Sequence, residues 1–127
     1  MSASWTLPSR PVSARTARRL IRTQLLAWGL QHACDLAELL VSELVTNAIR
    51  HARGLVRLRV SAVDGLVRCE VEDATSRLPR LRAARDDDEG SRGLALVAGL
   101  SSDWGSARTR TGKVVWFELP APVAVAA

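Results

Sequence analysis

The stretch Glu43-Leu44-Val45-Thr46-Asn47-Ala48-Ile49-Arg50-His51-Ala52 carries an acid and an amide four positions apart, which on a helix puts them one turn apart on the same side. They border an apolar arc of Leu40, Val41, Leu44, Val45 and Ala48, so both stand where core meets water. A carboxylate there can orient or deprotonate an attacking hydroxyl. An amide oxygen can join phosphate oxygens around a hard cation such as Mg²⁺. Spacing alone also fits two ordinary boundary residues, so a site requires further groups nearby.

Gly90-Ser91-Arg92-Gly93 precedes an apolar run, Leu94–Leu100, that reads as a helix. Flexible glycines, backbone N–H groups at the positive end of a helix dipole and an arginine are suited to holding phosphate. The spacing is neither a Walker A loop nor the dinucleotide GxGxxG fingerprint, and a two-glycine turn before a helix needs no ligand.

The elements that position these groups follow from periodicity. From Val12 to Leu30, Ala17, Leu20, Ile21, Leu25 and Trp28 recur every three or four residues, with Arg15, Arg18, Arg19 and Arg22 mainly outside the stripe. This predicts an amphipathic helix stopping near Gly29. A second helix should start near Cys34-Asp35, with Asp35 as cap and Glu38 three residues on, and run through Arg50 to end around Arg53-Gly54. Trp5-Thr6-Leu7 suggests an edge strand. Two strand-like runs, Leu55–Val63 and Leu66–Asp73, flank Asp64-Gly65, a dipeptide that tolerates positive φ and suits a two-residue hairpin.

That turn sets a register in which Val63 faces Leu66, Arg59 faces Glu70 and Arg57 faces Glu72. The other side of the hairpin then carries Val56, Leu58 and Val60 with Val67, Cys69, Val71 and Asp73. Asp73 therefore points where the core residues point. A carboxylate at such a position costs too much to leave unpaired, and calls for a cap or a ligand.

Residues 74–91 lack periodicity, contain Pro79 and the acidic run Asp86-Asp87-Asp88-Glu89, and read as a long loop. After the Leu94–Leu100 helix and a turn at Gly112 comes a last strand, Lys113–Leu119. The order helix, helix, hairpin, long loop, helix, strand implies an α/β (α+β) two-layer sandwich: a mixed, mostly antiparallel sheet with helices on one face. With 127 residues, 47% of them hydrophobic, the chain is expected to form one domain over residues 1–127.

Composition narrows the classes. No apolar run nears the about 20 residues that cross a bilayer, and the start, with Trp5, Pro8, Arg10 and Pro11, has no signal-type segment; a cytoplasmic protein with no membrane partner is expected. Cys34 and Cys69 have no metal-type spacing and sit in apolar patterns, so they read as buried free thiols. The net charge of +5 rests on arginines scattered over the chain, not gathered into the stripe that nucleic acid favours. No direct nucleic-acid partner is expected.

Taken together, the acid-and-amide helix, Asp73, the loop and the glycine-bracketed helix start follow an order that resembles the anti-sigma-factor type of histidine-kinase-like ATPase, with the Bergerat nucleotide-binding fold. Glu43 through Ala52 is similar to that family's N box, Val71-Glu72-Asp73-Ala74-Thr75 to its first glycine box, Glu89 through Val97 to its second, and Gly112 through Leu119 to its closing strand. The resemblance implies ATP and Mg²⁺ as cofactors. Glu43 would be the catalytic base and Asn47 the metal ligand. Asp73 would accept the adenine amino group. Residues 77–91 would form a lid, and Gly90, Ser91, Arg92, Gly93 and Leu94 would meet the phosphates, with Arg50 and Thr75 among the nucleotide contacts. Such domains are commonly serine kinases that bind a sigma factor and phosphorylate an antagonist protein, so those two are the implied partners. The edge strand at Trp5 to Leu7 leaves room for a homodimer.

Two positions depart from the pattern. Thr75 stands where the family often has Gly, and Lys113 where it commonly has Thr; a lysine cannot accept a hydrogen bond. The competing reading is a nucleotide-gated or nucleotide-free partner-binding module without transfer chemistry.

Overall fold

The computed structural model describes residues 1–51, 54–74 and 89–121, with side chains of the last segment from residue 95 onward. Strands β1 (Ser2–Pro8), β2 (Leu55–Val63), β3 (Leu66–Asp73), β4 (Asp103–Arg108) and β5 (Lys113–Pro120) form one sheet in the order β1-β2-β3-β5-β4. Helices α1 (Val12–Ala27), α2 (Cys34–His51) and α3 (Glu89–Leu100) complete it. All four strand pairings are antiparallel. The parallel pairing that a mixed sheet would contain is absent among the described residues.

The Asp64-Gly65 turn sets the hairpin as expected: φ is +52° at Asp64 and +77° at Gly65, the paired positive values that match the twist of two strands. Val63 pairs with Leu66, Arg59 with Glu70 and Arg57 with Glu72. On the open side Arg57 lies 3.8 Å from Glu72. Glu70 engages Arg68 of its own strand at 3.3 Å, and Arg68 also reaches Glu118 at 3.2 Å while its guanidinium lies 4.0 Å from the Trp116 ring centroid, a cation–π contact. Arg57 and Arg68 are thus each engaged with acids on the sheet surface.

The other face is the core. Val56, Leu58, Val60, Val67, Cys69, Val71, Val115, Phe117 and Leu119 are buried on it, alternating with the open-side residues as a strand requires. Over it lies α2, in contact with β2, β3 and β5, with α1 and α3 packed on α2. Ile21, Leu25, Leu40, Val41 and Val45 close that layer, and each buried aliphatic side chain contributes about 1.5–3 kcal/mol.

Gly29 ends α1 with φ +74°, a left-handed cap. A short 3-10 turn at Gln31–Ala33 then runs directly into α2. Asp35 consequently lies inside the first turn and does not cap it: its carboxylate and that of Glu38 both engage Arg22 of α1, at 2.6 Å and 2.5 Å. Two further differences concern the second half. Helix α3 begins at Glu89, so Gly90 to Gly93 belong to its first turns; an acid at the start of a helix favours the dipole there. Strand β4 was not expected, since Asp-Trp-Gly-Ser-Ala-Arg has no β-branched residue. It is held by pairing with β5, and Gly105 lets the Trp116 ring lie across it: a Cβ at 105 would be 2.7 Å from a ring carbon.

Both thiols are free and buried. Desolvation pushes the Cys69 thiol far above its ordinary 9.0, with Glu70 adding to the rise, and burial also raises Cys34. A thiol that keeps its proton more tightly when folded stabilises the fold fully below pH 9.0 and loses that contribution as pH climbs toward the folded value. Native protein at pH 8 should therefore leave Cys69 unmodified by a thiol reagent while the urea-unfolded chain reacts, and the urea midpoint should fall above pH 9. Stoichiometric labelling of Cys69 in the folded state would contradict this.

Candidate functional site

Among the described residues only Ser13, Asn47, Asp73 and Lys113 are buried with polar or charged side chains. Ser13 is accounted for locally, its hydroxyl donating to the Pro8 carbonyl at 2.6 Å. The other three belong to α2 and to the ends of β3 and β5, elements in mutual contact.

Helix α2 presents Asn47 buried at 7% exposure and Glu43 half-buried one turn earlier. The reason is geometric: Leu40, Leu44 and Ala48 bury against the core, and the residues beside that stripe are carried to its rim. Arg50, in the last turn of α2, is exposed.

Asp73 closes β3 on the inner face, as the hairpin register requires, and its register partner across the β3–β5 ladder is Lys113. Lys113 is itself buried, with Nζ 3.7 Å from Asp73 Oδ2. The inward direction of Lys113 was legible in principle. Residues alternate along β5, and Val115, Phe117 and Leu119 fix the parity that turns Lys113 inward. The strand ends are held close by Gly112, where a Cβ would lie 1.8 Å from the Asp73 carbonyl oxygen and 2.8 Å from Ala74 Cα; only glycine fits. A buried pair of opposite charges is near break-even against an apolar pair, but removing one partner alone costs about 3–5 kcal/mol.

Thr75 and most of the lid expected over 77–91 lie outside the described residues. Gly90, Ser91, Arg92, Gly93 and Leu94 lie in α3 by their backbone, and their side chains also lie outside. Because α3 packs on α2, the helix that begins with these residues adjoins the one bearing Glu43 and Asn47. No group of three or more His, Cys, Asp or Glu side chains is arranged to hold a metal among the described residues. A shallow depression of about 170 Å³ opens beside the same strand ends, lined by Thr6, Leu55, Arg57, Glu72, Ala74 and Thr111 as well as Asp73; it is smaller than the about 300 Å³ at which ligand pockets begin.

No described helix is long and apolar enough to cross a membrane. A family profile described as "Histidine kinase-like ATPase domain" matches residues 7–119. No curated protein matches the chain significantly. Among solved structures, the crystal structure of the RsbU and RsbW domains of Rv1364c from Mycobacterium tuberculosis superposes with a TM-score of 0.72 at 22% identity, covering 100% of this chain and 35% of that one. The histidine kinase domain of the Erythrobacter litoralis EL346 blue-light activated histidine kinase gives 0.51 at 32% identity, covering 67% and 43%. A second structure of the Erythrobacter litoralis EL346 kinase gives 0.53 at 25% identity, covering 88% and 48%. The chain thus spans less than half the length of these relatives.

Proposed function

This chain belongs to the histidine kinase-like ATPase domain family, and from that premise we propose that it is an ATP-binding regulator of the anti-sigma type that phosphorylates a serine on an antagonist protein and sequesters a sigma factor. The observation that carries the reading is that Asn47 of α2 and Asp73 and Lys113 at the ends of β3 and β5 are buried polar residues in an otherwise largely apolar interior, on elements in mutual contact. Buried polar groups are expensive unless they have work to do.

In this reading Asp73 would accept from the 6-amino group of adenine, and Asn47 would lend its amide oxygen to Mg²⁺. Gly90 to Leu94 supply backbone N–H groups at the start of α3, with residues 77–91 as the lid, and Arg50 and Thr75 complete the nucleotide contacts. Glu43 takes the proton from the partner's serine hydroxyl as its oxygen attacks the γ-phosphorus and the bond to ADP breaks. Mg²⁺, when bound, neutralises charge on the phosphates.

Equilibrium titration with ATP, with and without Mg²⁺, is the decisive measurement. Wild type should bind more tightly with the metal, and Asn47→Ala should lose that gain, about tenfold or more. A metal effect unchanged in Asn47→Ala would sink the role of the amide. A second reading is favoured by the Lys113 ammonium beside Asp73: a partner-binding module in which the ion pair substitutes for a base. It predicts no measurable ATP affinity together with intact partner binding.

A further inference from the structure

On the side of the sheet away from α2, Thr6 of β1 pairs with Arg57 of β2, and Arg57 with Glu72 of β3, in one cross-strand row. Beyond that row, at the strand ends, lies the shallow depression of about 170 Å³, lined also by Leu55, Ala74 and Thr111. It is too small for a nucleotide-sized ligand and has room for one side chain. Leu55 is 63% exposed. The alternation of β2 puts Leu55, Arg57 and Arg59 on this side, while Val56, Leu58 and Val60 between them are buried. The register brings Glu70 opposite Arg59, but the Glu70 carboxylate is engaged by Arg68 at 3.3 Å. Arg59 is exposed and makes no ion pair among the described residues. The strip therefore has an apolar hollow at one end and a cation without an ion pair four residues along β2, about 13 Å away at about 3.3 Å per residue.

We infer that this strip is a docking surface for an extended segment of a protein partner that carries a large apolar side chain and, four residues away, a carboxylate. An extended chain shows every second side chain to one face and advances by the same about 3.3 Å per residue, so two partner positions four apart match Leu55 and Arg59. The apolar side chain enters the hollow lined by Thr6, Leu55 and Thr111, the kind of small pocket in which an interface anchor contributes most. The carboxylate meets Arg59, and an exposed pair of this kind gives orientation more than affinity. A polyanion such as nucleic acid needs a row of cations, and Glu70 and Glu72 on the same side oppose it. Glu43 and Asn47 stand on α2, over the other face of the sheet, so a segment docked here leaves them clear. The inference does not depend on nucleotide binding.

The test is a nuclear magnetic resonance titration of the ¹⁵N-labelled full chain with two blocked pentapeptides, acetyl-Leu-Ser-Thr-Ser-Glu-amide and the same peptide ending in lysine, each also in reversed order. In one of its two orders the carboxylate peptide should shift the amides of Thr6, Leu55, Arg57 and Thr111. It should bind about two- to fivefold more tightly than its lysine counterpart at physiological salt, the effect of one exposed ion pair, and the ratio should widen at low salt. Leu55→Ser should weaken binding about fivefold or more, and Arg59→Gln should bring the two peptides to equal affinity. Both side chains are exposed, so neither change disturbs the core. Shifts confined to other residues, equal wild-type affinity for the two peptides, or no shift at the highest soluble peptide concentration would each overturn the inference. So would the same shifts on concentrating the protein alone, which would assign the face to a second copy, or tighter binding of a DNA duplex at these residues.

Discussion

Replacing Glu43 by Gln should slow phosphate transfer to a serine-bearing partner by about 10²- to 10⁴-fold, the range over which a positioned general base acts. The substitution keeps the shape of a half-buried side chain on α2 and removes only its ability to take a proton. ATP affinity should therefore change by less than about threefold, because a group that acts in the transition state alone alters the rate and not the binding. Single-turnover transfer from labelled ATP, set against an independent titration, separates the two. Equal rates for wild type and Glu43→Gln would remove the base from the mechanism. A loss of affinity matching the loss of rate would reassign Glu43 to binding.

A large effect on stability is expected at Gly112. A methyl group there would sit 1.8 Å from the Asp73 carbonyl oxygen and 2.8 Å from Ala74 Cα. Both are backbone atoms, so no rotamer change relieves the clash, and the ends of β3 and β5 must part. Gly112→Ala should cost about 3 kcal/mol or more, the upper part of the overpacking range, and lower the melting temperature by about 10 °C or more. Gly99→Ala is the natural control: it lies in α3 with nothing within 4 Å of the added atom, and an alanine within a helix gains up to about 1 kcal/mol over glycine. Comparable melting temperatures for Gly112→Ala and wild type would show that the strand ends yield more easily than their geometry implies.

What could be read in the sequence was what depends on local rules. The Asp64-Gly65 turn fixes a register by its backbone preferences, and the register carries Asp73 inward without any tertiary information. The stripe on α2 likewise puts Glu43 and Asn47 at its border, while only the structure shows that Asn47 is the more deeply set of the two. The helix start at Glu89 and the strand Asp103–Arg108 were not legible, for a common reason. Glycines at 90 and 93 lower helix propensity, and Gly105 with Ser106 lowers strand propensity, so both elements depend on neighbours: α3 on α2, β4 on β5. Such support is invisible in a single window of residues. Lys113 illustrates a different limit. Alternation along β5 gives its direction, but its partner is known only once β3 and β5 are known to be adjacent.

That adjacency has a consequence in time. Within the strand order β1-β2-β3-β5-β4, the hairpins β2–β3 and β4–β5, each closed by a short turn, meet along the seam between β3 and β5, while β1 returns from the start of the chain to pair with β2. Hairpins of this kind form in microseconds, whereas the seam must bring residues 73 and 113, 40 positions apart (113 − 73), into register against a chain entropy of about 3 kcal/mol. The two charges of the buried Asp73–Lys113 pair come from different hairpins. They meet only when the seam zips, so neither hairpin alone holds the pair.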